Sequence, residues 1–254
     1  MHWVFRNVTR EREIDKIKTE FISLASHQLR TPLTSIRWFT EMLLSTDVGK
    51  INKQQREFLE SSYQSTIRMN DLVNALLNIS RIESARLAVT PEPTDPVLLS
   101  KEILNNLKPL AAEKKHQITF TKPKGLPLVK TDPKLLKEIL SNLLSNSIKY
   151  TPEKGKINLT ISVKGPNVLF QVKDNGLGIP KVQQNRVFNK FFRGENIVKI
   201  DTKGTGLGLY IVKKLVETLQ GKVWFESEEN KGTTFSFTIP HAGIKKQKGE
   251  KTLA

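Results

Sequence analysis

Ile14, Ile17, Phe21 and Leu24 recur at spacings of three, four and three, the seam of a helix that pairs with another helix. The apolar run continues through Ile36, Phe39, Leu43 and Leu44 to a break at Thr46-Asp47-Val48-Gly49. A second helical stretch follows from about Asn52 to Arg86, with Phe58, Leu59, Ile67, Leu72, Leu76 and Ile79 as its apolar side. Two long helices and a short turn predict an antiparallel hairpin. A lone hairpin buries little surface, so the pattern predicts a dimeric four-helix bundle; a monomeric hairpin packed on the rest of the chain is the alternative.

Pro91, Pro93 and Pro96 close this region, and from about Val97 helical and strand-like runs alternate. Thr131-Asp132-Pro133 starts a helix, with Asp132 as N-cap and Pro133 at the first helical position. Ile157–Val163 and Val168–Val172 alternate as half-buried strands around a Gly165-Pro166-Asn167 turn. Leu207–Leu219 reads as a helix, and Val223–Glu226 with Thr233–Ile239 as a closing hairpin around Asn230-Lys231-Gly232. The second region is thus expected to be an α/β sandwich, a mixed sheet with helices on one face. The whole is an α+β chain of two domains, and 254 residues accommodate both.

Composition narrows the chemistry. Without cysteine there is no disulfide scaffold, thiolate zinc site or cysteine nucleophile. No apolar run approaches the roughly 18 residues of a membrane-spanning helix, so the chain carries no membrane segment. A net charge of +16 favours polyanionic partners or simply a basic solvated surface. No reader motif accompanies the charge, so no nucleic-acid partner is expected.

Four segments carry candidate chemistry. On the helix Lys134–Tyr150, Asn142, Asn146 and Lys149 are spaced i, i+4, i+7 and project from one face, while Leu136, Ile139, Leu140 and Leu143 occupy another. Such a row suits a magnesium–triphosphate, because Mg²⁺ prefers oxygen and keeps several waters; an ordinary polar helix face is the alternative. Asp174-Asn175-Gly176-Leu177-Gly178-Ile179-Pro180 ends a strand, where glycines admit a ligand close to backbone and a carboxylate can accept from an amino group such as that of adenine. Gly204-Thr205-Gly206-Leu207-Gly208-Leu209 opens a helix and offers N–H groups to phosphate. It is neither a P-loop nor a dinucleotide fingerprint, since the polar segment Glu195–Lys203 before it is not a strand and reads as a lid. Phe188, Phe191 and Phe192 are expected to anchor that lid, with Arg193 placed to reach a phosphate. Finally, Ser26-His27-Gln28-Leu29-Arg30-Thr31-Pro32 lies in the first long helix. Pro32 leaves the Gln28 carbonyl unpaired near His27, and His27 and Thr31 share a face.

Together these segments resemble the histidine kinases of two-component signalling over nearly the whole chain. Phe21–Leu44 is similar to the phosphoacceptor motif, Asn142–Thr151 to the asparagine motif and Asp174–Gly178 to the first glycine motif. Phe188–Arg193 resembles the phenylalanine motif, Gly204–Leu209 the second glycine motif and Gly232-Thr233-Thr234-Phe235 a further, less specific one.

The resemblance implies ATP-dependent phosphorylation of His27, transfer to an aspartate on a response-regulator receiver domain, and phosphatase activity toward that partner with Thr31 positioning water. It implies ATP and Mg²⁺ as cofactors. Asn146 is expected at the metal, Asn142 and Lys149 at phosphates, Tyr150 against the nucleotide and Asp174 at the adenine amino group. Gly176, Gly178, Ile179, Arg193, Gly204, Thr205, Gly206, Leu207, Gly208, Leu209 and Thr233 complete the nucleotide site. Residues 1–12 resemble the end of a PAS sensor and its linker. The phosphoacceptor hairpin is then 13–90, a linker 91–96, the ATP-binding domain 97–241, and a basic, disordered tail 242–254. A homodimer, an upstream sensor domain and a cytoplasmic location follow from the same resemblance, with anchoring of the full-length protein at the inner membrane left open. Two departures stand out: Gln28 where the family has Glu or Asp, and Ser147 where alanine is more usual. A carboxamide orients the imidazole but cannot take its proton, a contribution typically worth about 10²–10⁴ in rate. An ATPase of the gyrase or heat-shock chaperone type and a phosphatase-biased scaffold are the rival readings.

Overall fold

The computed structural model describes residues 8–45, 48–84, 87–198 and 204–244. The start of the PAS-like segment, Thr46 and Asp47 of the turn, residues 199–203 of the expected lid, and the basic tail from 245 lie outside the described residues. So do the side chains of Ile14, Phe21 and His27. The chain divides into two compact units, which meet in sequence near residue 87.

The first unit is a pair of packed helices, α1 (Val8–Leu44) and α2 (Lys53–Glu83). Helix α2 starts on a capping box. The Asn52 side chain accepts from the Gln55 N–H at 2.8 Å and Gln55 returns a side-chain acceptor to the Asn52 N–H at 2.8 Å. Leu33, Val73 and Leu77 form the buried contact between the helices, and Arg30 donates to Asn74 Oδ1 at 2.8 Å beside it. Ile17, Leu24, Ile36, Phe39 and Phe58 remain exposed, so the seam read from the sequence is not consumed within this hairpin. Pro32 lies inside α1.

The second unit begins with β1 (Glu92–Thr94), which pairs antiparallel with β3 (Val129–Thr131), and includes α3 (Pro96–Glu113) between them. Its main sheet has five strands in the order β2 (Gln117–Thr121), β4 (Lys156–Lys164), β5 (Asn167–Asp174), β7 (Gly232–Pro240) and β6 (Lys222–Glu228). Only β2 runs parallel to its neighbour, which makes the sheet mixed. Ile157, Leu159, Ile161, Phe170, Val172, Phe235 and Phe237 are buried along one face, as the alternation predicts. Helices α4 (Pro133–Tyr150) and α6 (Gly208–Thr218) pack against the sheet and α3 packs against α4; a short α5 (Glu195–Val198) lies between α4 and α6 in sequence. The opposite face is polar: Asn158 donates to Thr119 at 2.7 Å and Gln171 to Ser236 at 3.2 Å.

Asp132 caps α4 as the sequence predicts, its Oδ1 accepting from the N–H groups of Lys134 and Leu135 at 3.0 and 3.2 Å. Its other oxygen accepts from the Thr90 N–H at 2.9 Å, so one buried carboxylate ties the start of the unit to the helix that carries the site. At the middle of the sheet Phe170 and Phe237 stack with ring centroids 4.7 Å apart and planes 1° from parallel, directly across the β5–β7 ladder. Phe237→Ala removes a fully buried ring there and is expected to lower unfolding stability by about 3–5 kcal/mol. Denaturant titration checks this; a loss under about 1 kcal/mol would contradict the burial of the ring in a packed core.

Candidate nucleotide site

Helix α4 presents two faces. Leu136, Ile139, Leu140 and Leu143 are fully buried, whereas Asn142, Asn146 and Lys149 line a cavity of about 240 Å³. Tyr150 and Ser147 from the same helix also line it. The last turn of α4 is held from outside. Lys114 Nζ donates to the carbonyls of Ile148 and Lys149 at 3.2 and 2.6 Å, and His116 Nε2 donates to those of Thr151 and Pro152 at 3.2 and 3.0 Å. Carbonyls only accept, so His116 carries its proton on Nε2. The Lys114 ammonium meets the negative end of the helix dipole, and together the two donors fix the stretch that bears Lys149 and Tyr150.

At the end of β5, Asp174 joins three elements. Its Oδ1 accepts from the N–H groups of Gly176 and Thr233 at 3.0 and 3.1 Å, and its Oδ2 accepts from Ser147 Oγ at 3.0 Å. Burial pushes the Asp174 carboxyl above the ordinary carboxylate range, against the pull of the hydrogen bonds from Gly176, Ser147 and Thr233. Asp174 lines the cavity, and a carboxylate has more lone pairs than these three donors occupy, so it can still accept from a ligand donor.

The turn that follows is pinned by the β6–β7 hairpin. Ile179 N–H donates to Ser227 Oγ at 2.8 Å, and Asn230 N–H to the Leu177 carbonyl at 2.7 Å. Gly178 has φ +63°, and a Cβ there would collide with the Glu228 carbonyl. Thr233 shares its hydroxyl with Ser227 at 2.8 Å. Across the cavity, Gly206 has φ +71° and a Cβ would lie 2.7 Å from the Phe191 carbonyl carbon, so the second glycine segment rests directly on the phenylalanine motif.

Of the residues expected at the site, Asn142, Asn146, Lys149, Tyr150, Asp174, Gly178 and Ile179 line the cavity. Arg193, Gly204, Thr205, Gly206, Gly208, Leu209 and Thr233 do so as well. Gly176 and Leu207 are buried and do not line it: Gly176 supplies an N–H to Asp174, and Leu207 is fully buried. Phe188 packs edge-on against Phe225 and Phe235, at 5.8 and 6.5 Å, and Phe192 lines the cavity. Phe191 departs from its expected anchoring role, because a backbone φ of +60° turns it out to 60% exposure. Ser147 and Glu138 are the partners that sequence reading passes over. The first sits in the departure from alanine; the second leaves no mark beyond its i−4 spacing to Asn142. In the first unit His27 lies within α1, and Gln28 and Thr31 are exposed on it.

A mixed sheet with a helix-borne carboxamide row, a half-buried strand-end carboxylate and two glycine segments around one cavity defines the nucleotide domain of a particular ATPase class. Residues 131–243 match the family described as histidine kinase-, DNA gyrase B- and HSP90-like ATPase, and residues 17–85 match the His Kinase A (phospho-acceptor) domain. The chain is 34% identical over 240 residues to the sensor histidine kinase WalK of Bacillus subtilis, covering 94% of this chain and 39% of that protein. It is 35% identical over 225 residues to the circadian input-output histidine kinase CikA of Synechococcus elongatus, covering 88% of this chain and 30% of that protein. Among solved structures, full-length ShkA in complex with AMPPNP aligns with a TM-score of 0.75 at 30% identity, covering 89% of this chain and 46% of that one. The catalytic domain of histidine kinase ThkA aligns with a TM-score of 0.53 at 30% identity, covering 60% of this chain and 98% of that one. The chain belongs to the sensor histidine kinases and contains their phosphoacceptor and ATPase-type domains. It spans well under half the length of the two curated relatives named.

The raised Asp174 carboxyl gives a pH prediction. Folded, it binds its proton more readily than unfolded, so stability falls as pH rises through the raised value, and the ionised group destabilises the fold at neutral pH. Asp174→Asn can keep the network, with its oxygen on the two N–H groups and its Nδ2 on Ser147. It is therefore expected to melt above wild type at pH 7, with the gap closing as pH is lowered toward the ordinary carboxylate range. Thermal melts across pH read this; a lower melting temperature for the variant at pH 7 with no pH trend would contradict it.

Proposed function

We propose that this chain is the cytoplasmic core of a longer sensor that binds ATP·Mg²⁺ in the cavity of the second unit and phosphorylates His27. The observation that carries the proposal is the pairing of a phosphoacceptor-domain match that contains His27 with a cavity that gathers Asp174, Asn142, Asn146 and Lys149. Asp174 Oδ2 accepts the adenine amino group, Tyr150 lies against the nucleotide, and Lys149 and Arg193 approach the phosphates. Glycine-flanked N–H groups at the start of α6 complete the phosphate side. Asn146 offers one amide oxygen, which fits a hard cation that keeps waters and phosphate oxygens in its shell. Among the described residues no three His, Cys, Asp or Glu gather around a common point, which suits a metal delivered with the nucleotide. When bound, Mg²⁺ supplies charge neutralisation on the phosphates.

The transfer is an in-line displacement. The lone pair of one His27 ring nitrogen forms a bond to the γ-phosphorus, and the bond to the β–γ bridging oxygen breaks, its electron pair leaving with ADP. The proton on the other ring nitrogen passes to solvent, because Gln28 cannot take it. Neutral imidazole is nucleophilic near pH 7, so the step proceeds with positioning and electrostatics as its main aids. Phosphohistidine then passes its phosphoryl group to an aspartate of a receiver domain, and Thr31 orients the water that hydrolyses the aspartyl phosphate to aspartate and inorganic phosphate in the opposing phosphatase role. The exposed Ile17, Leu24, Ile36, Phe39 and Phe58 support closure of the hairpin into a dimeric four-helix bundle. Among the described residues no helix is long and apolar enough to cross a membrane.

Incubation with γ-labelled ATP and Mg²⁺ is expected to leave an acid-labile, alkali-stable label on the chain. His27→Ala should abolish it and Asn146→Ala should lower its rate by about 10²-fold or more. In the same assay Gln28→Glu, which restores a proton acceptor, should label faster. Undiminished labelling of His27→Ala would overturn the proposal and favour another acceptor.

A further inference from the structure

The carboxamide of Asn142 has two chemically opposite ends, and which one faces the cavity decides what it can bind. Its Nδ2 donates to both the main-chain carbonyl and the Oε1 of Glu138, each at 2.9 Å. Those two acceptors take both hydrogens of the amide nitrogen. Oδ1 is the end left for the ligand side. It lies against Gly208, where an added Cβ would stand 2.9 Å from it, and Gly208 lines the cavity with Asn142. Inverting the amide would set Oδ1 against two oxygens, one of them on a carboxylate, so the hydrogen-bond partners settle the orientation.

We propose that Glu138 is a positioning residue that locks Asn142 with its oxygen toward the ligand. Asn142 then serves the site as an acceptor, for a divalent cation or for water bound to that cation, and not as a donor to phosphate. This rests on the nucleotide reading above and alters one role within it. Asn142 and Asn146 are four residues apart on one helical face, so two amide oxygens address the same region. A phosphate oxygen would be repelled by Asn142 Oδ1, whereas a cation or its water would be held. Glu138 acts through Asn142 and needs no contact with the nucleotide; in metal sites such supporting partners are typically worth about 10–100-fold in metal affinity.

The test compares Glu138→Gln, which keeps the acceptor and removes the charge, with Glu138→Leu, which removes both. In the ligand-free 254-residue chain, NMR of the Asn142 side-chain amide is expected to show slow hydrogen exchange in wild type and Glu138→Gln, and fast exchange in Glu138→Leu. Calorimetric titration with ADP, in EDTA and in Mg²⁺, then measures how much the metal strengthens binding. Glu138→Gln should keep that enhancement within about twofold, and Glu138→Leu should lose about tenfold of it while binding metal-free ADP nearly as wild type does. Equal enhancement in Glu138→Leu and wild type would overturn the lock. An equal loss in both variants would also overturn it, assigning the effect to charge. A wild-type chain that binds no ADP would instead sink the nucleotide reading, while the exchange measurement would still report on the lock itself.

Discussion

A carboxylate drawn partly out of water must have its hydrogen bonds supplied by fixed donors, and half-buried Asp174 draws them from three parts of the second unit at once. Ser147 comes from α4, Gly176 from the turn after β5, and Thr233 from the start of β7. Each is held in turn: Ser147 by the apolar face of α4, the turn by its bonds to the β6–β7 hairpin, and Thr233 by its place in the ladder and by Ser227. The cavity has its shape because these elements converge on one group. The same convergence leaves the carboxylate too dry to ionise as readily as an ordinary one. That residual demand for a donor is what a ligand amino group would satisfy.

Helix α4 converts the sheet's stability into site geometry. Four residues of its apolar face are removed from water, roughly 1.5–3 kcal/mol each by area bookkeeping, which holds the helix against the strands. Its start is set by Asp132 and its end by Lys114 and His116, so neither terminus is free to fray. With both ends and one face fixed, the polar row of Asn142, Asn146 and Lys149 is held in place before any ligand arrives. Such preorganisation is the usual source of electrostatic catalysis in phosphoryl transfer.

Much of this was legible in the chain because it rests on local periodicity. The i, i+4, i+7 row, the Asp132-Pro133 helix start and the alternation of β4 and β5 need no knowledge of distant partners, and each is found as expected. The exposed seam of α1 was legible for the same reason. What escaped depends on contacts far apart in sequence or on atoms with two orientations. Ser147 reads as a minor departure until Asp174, 27 residues on, is seen to accept its hydrogen bond. Glu138 looks like any solvated helix glutamate until the amide of Asn142 is seen turned toward it. Phe191 belongs to an aromatic motif, yet its left-handed backbone sends it outward, a feature that composition does not encode. Gly176 and Leu207 match the motifs that line the site and serve it from behind.

In the function proposed above, the Asp174 carboxylate reads an amino group on an adenine nucleotide. The most direct measurement is calorimetric binding of ADP and inosine diphosphate to the 254-residue chain at neutral pH. The two ligands share every phosphate contact and differ along the six-position edge, where inosine carries an oxygen in place of the amino group and a hydrogen on the adjacent ring nitrogen. An ionised carboxylate accepts from the amino group and repels the oxygen. Inosine diphosphate is expected to bind at least about a hundredfold more weakly, because a desolvated polar group loses its partner. Equal affinity for the two nucleotides would contradict it.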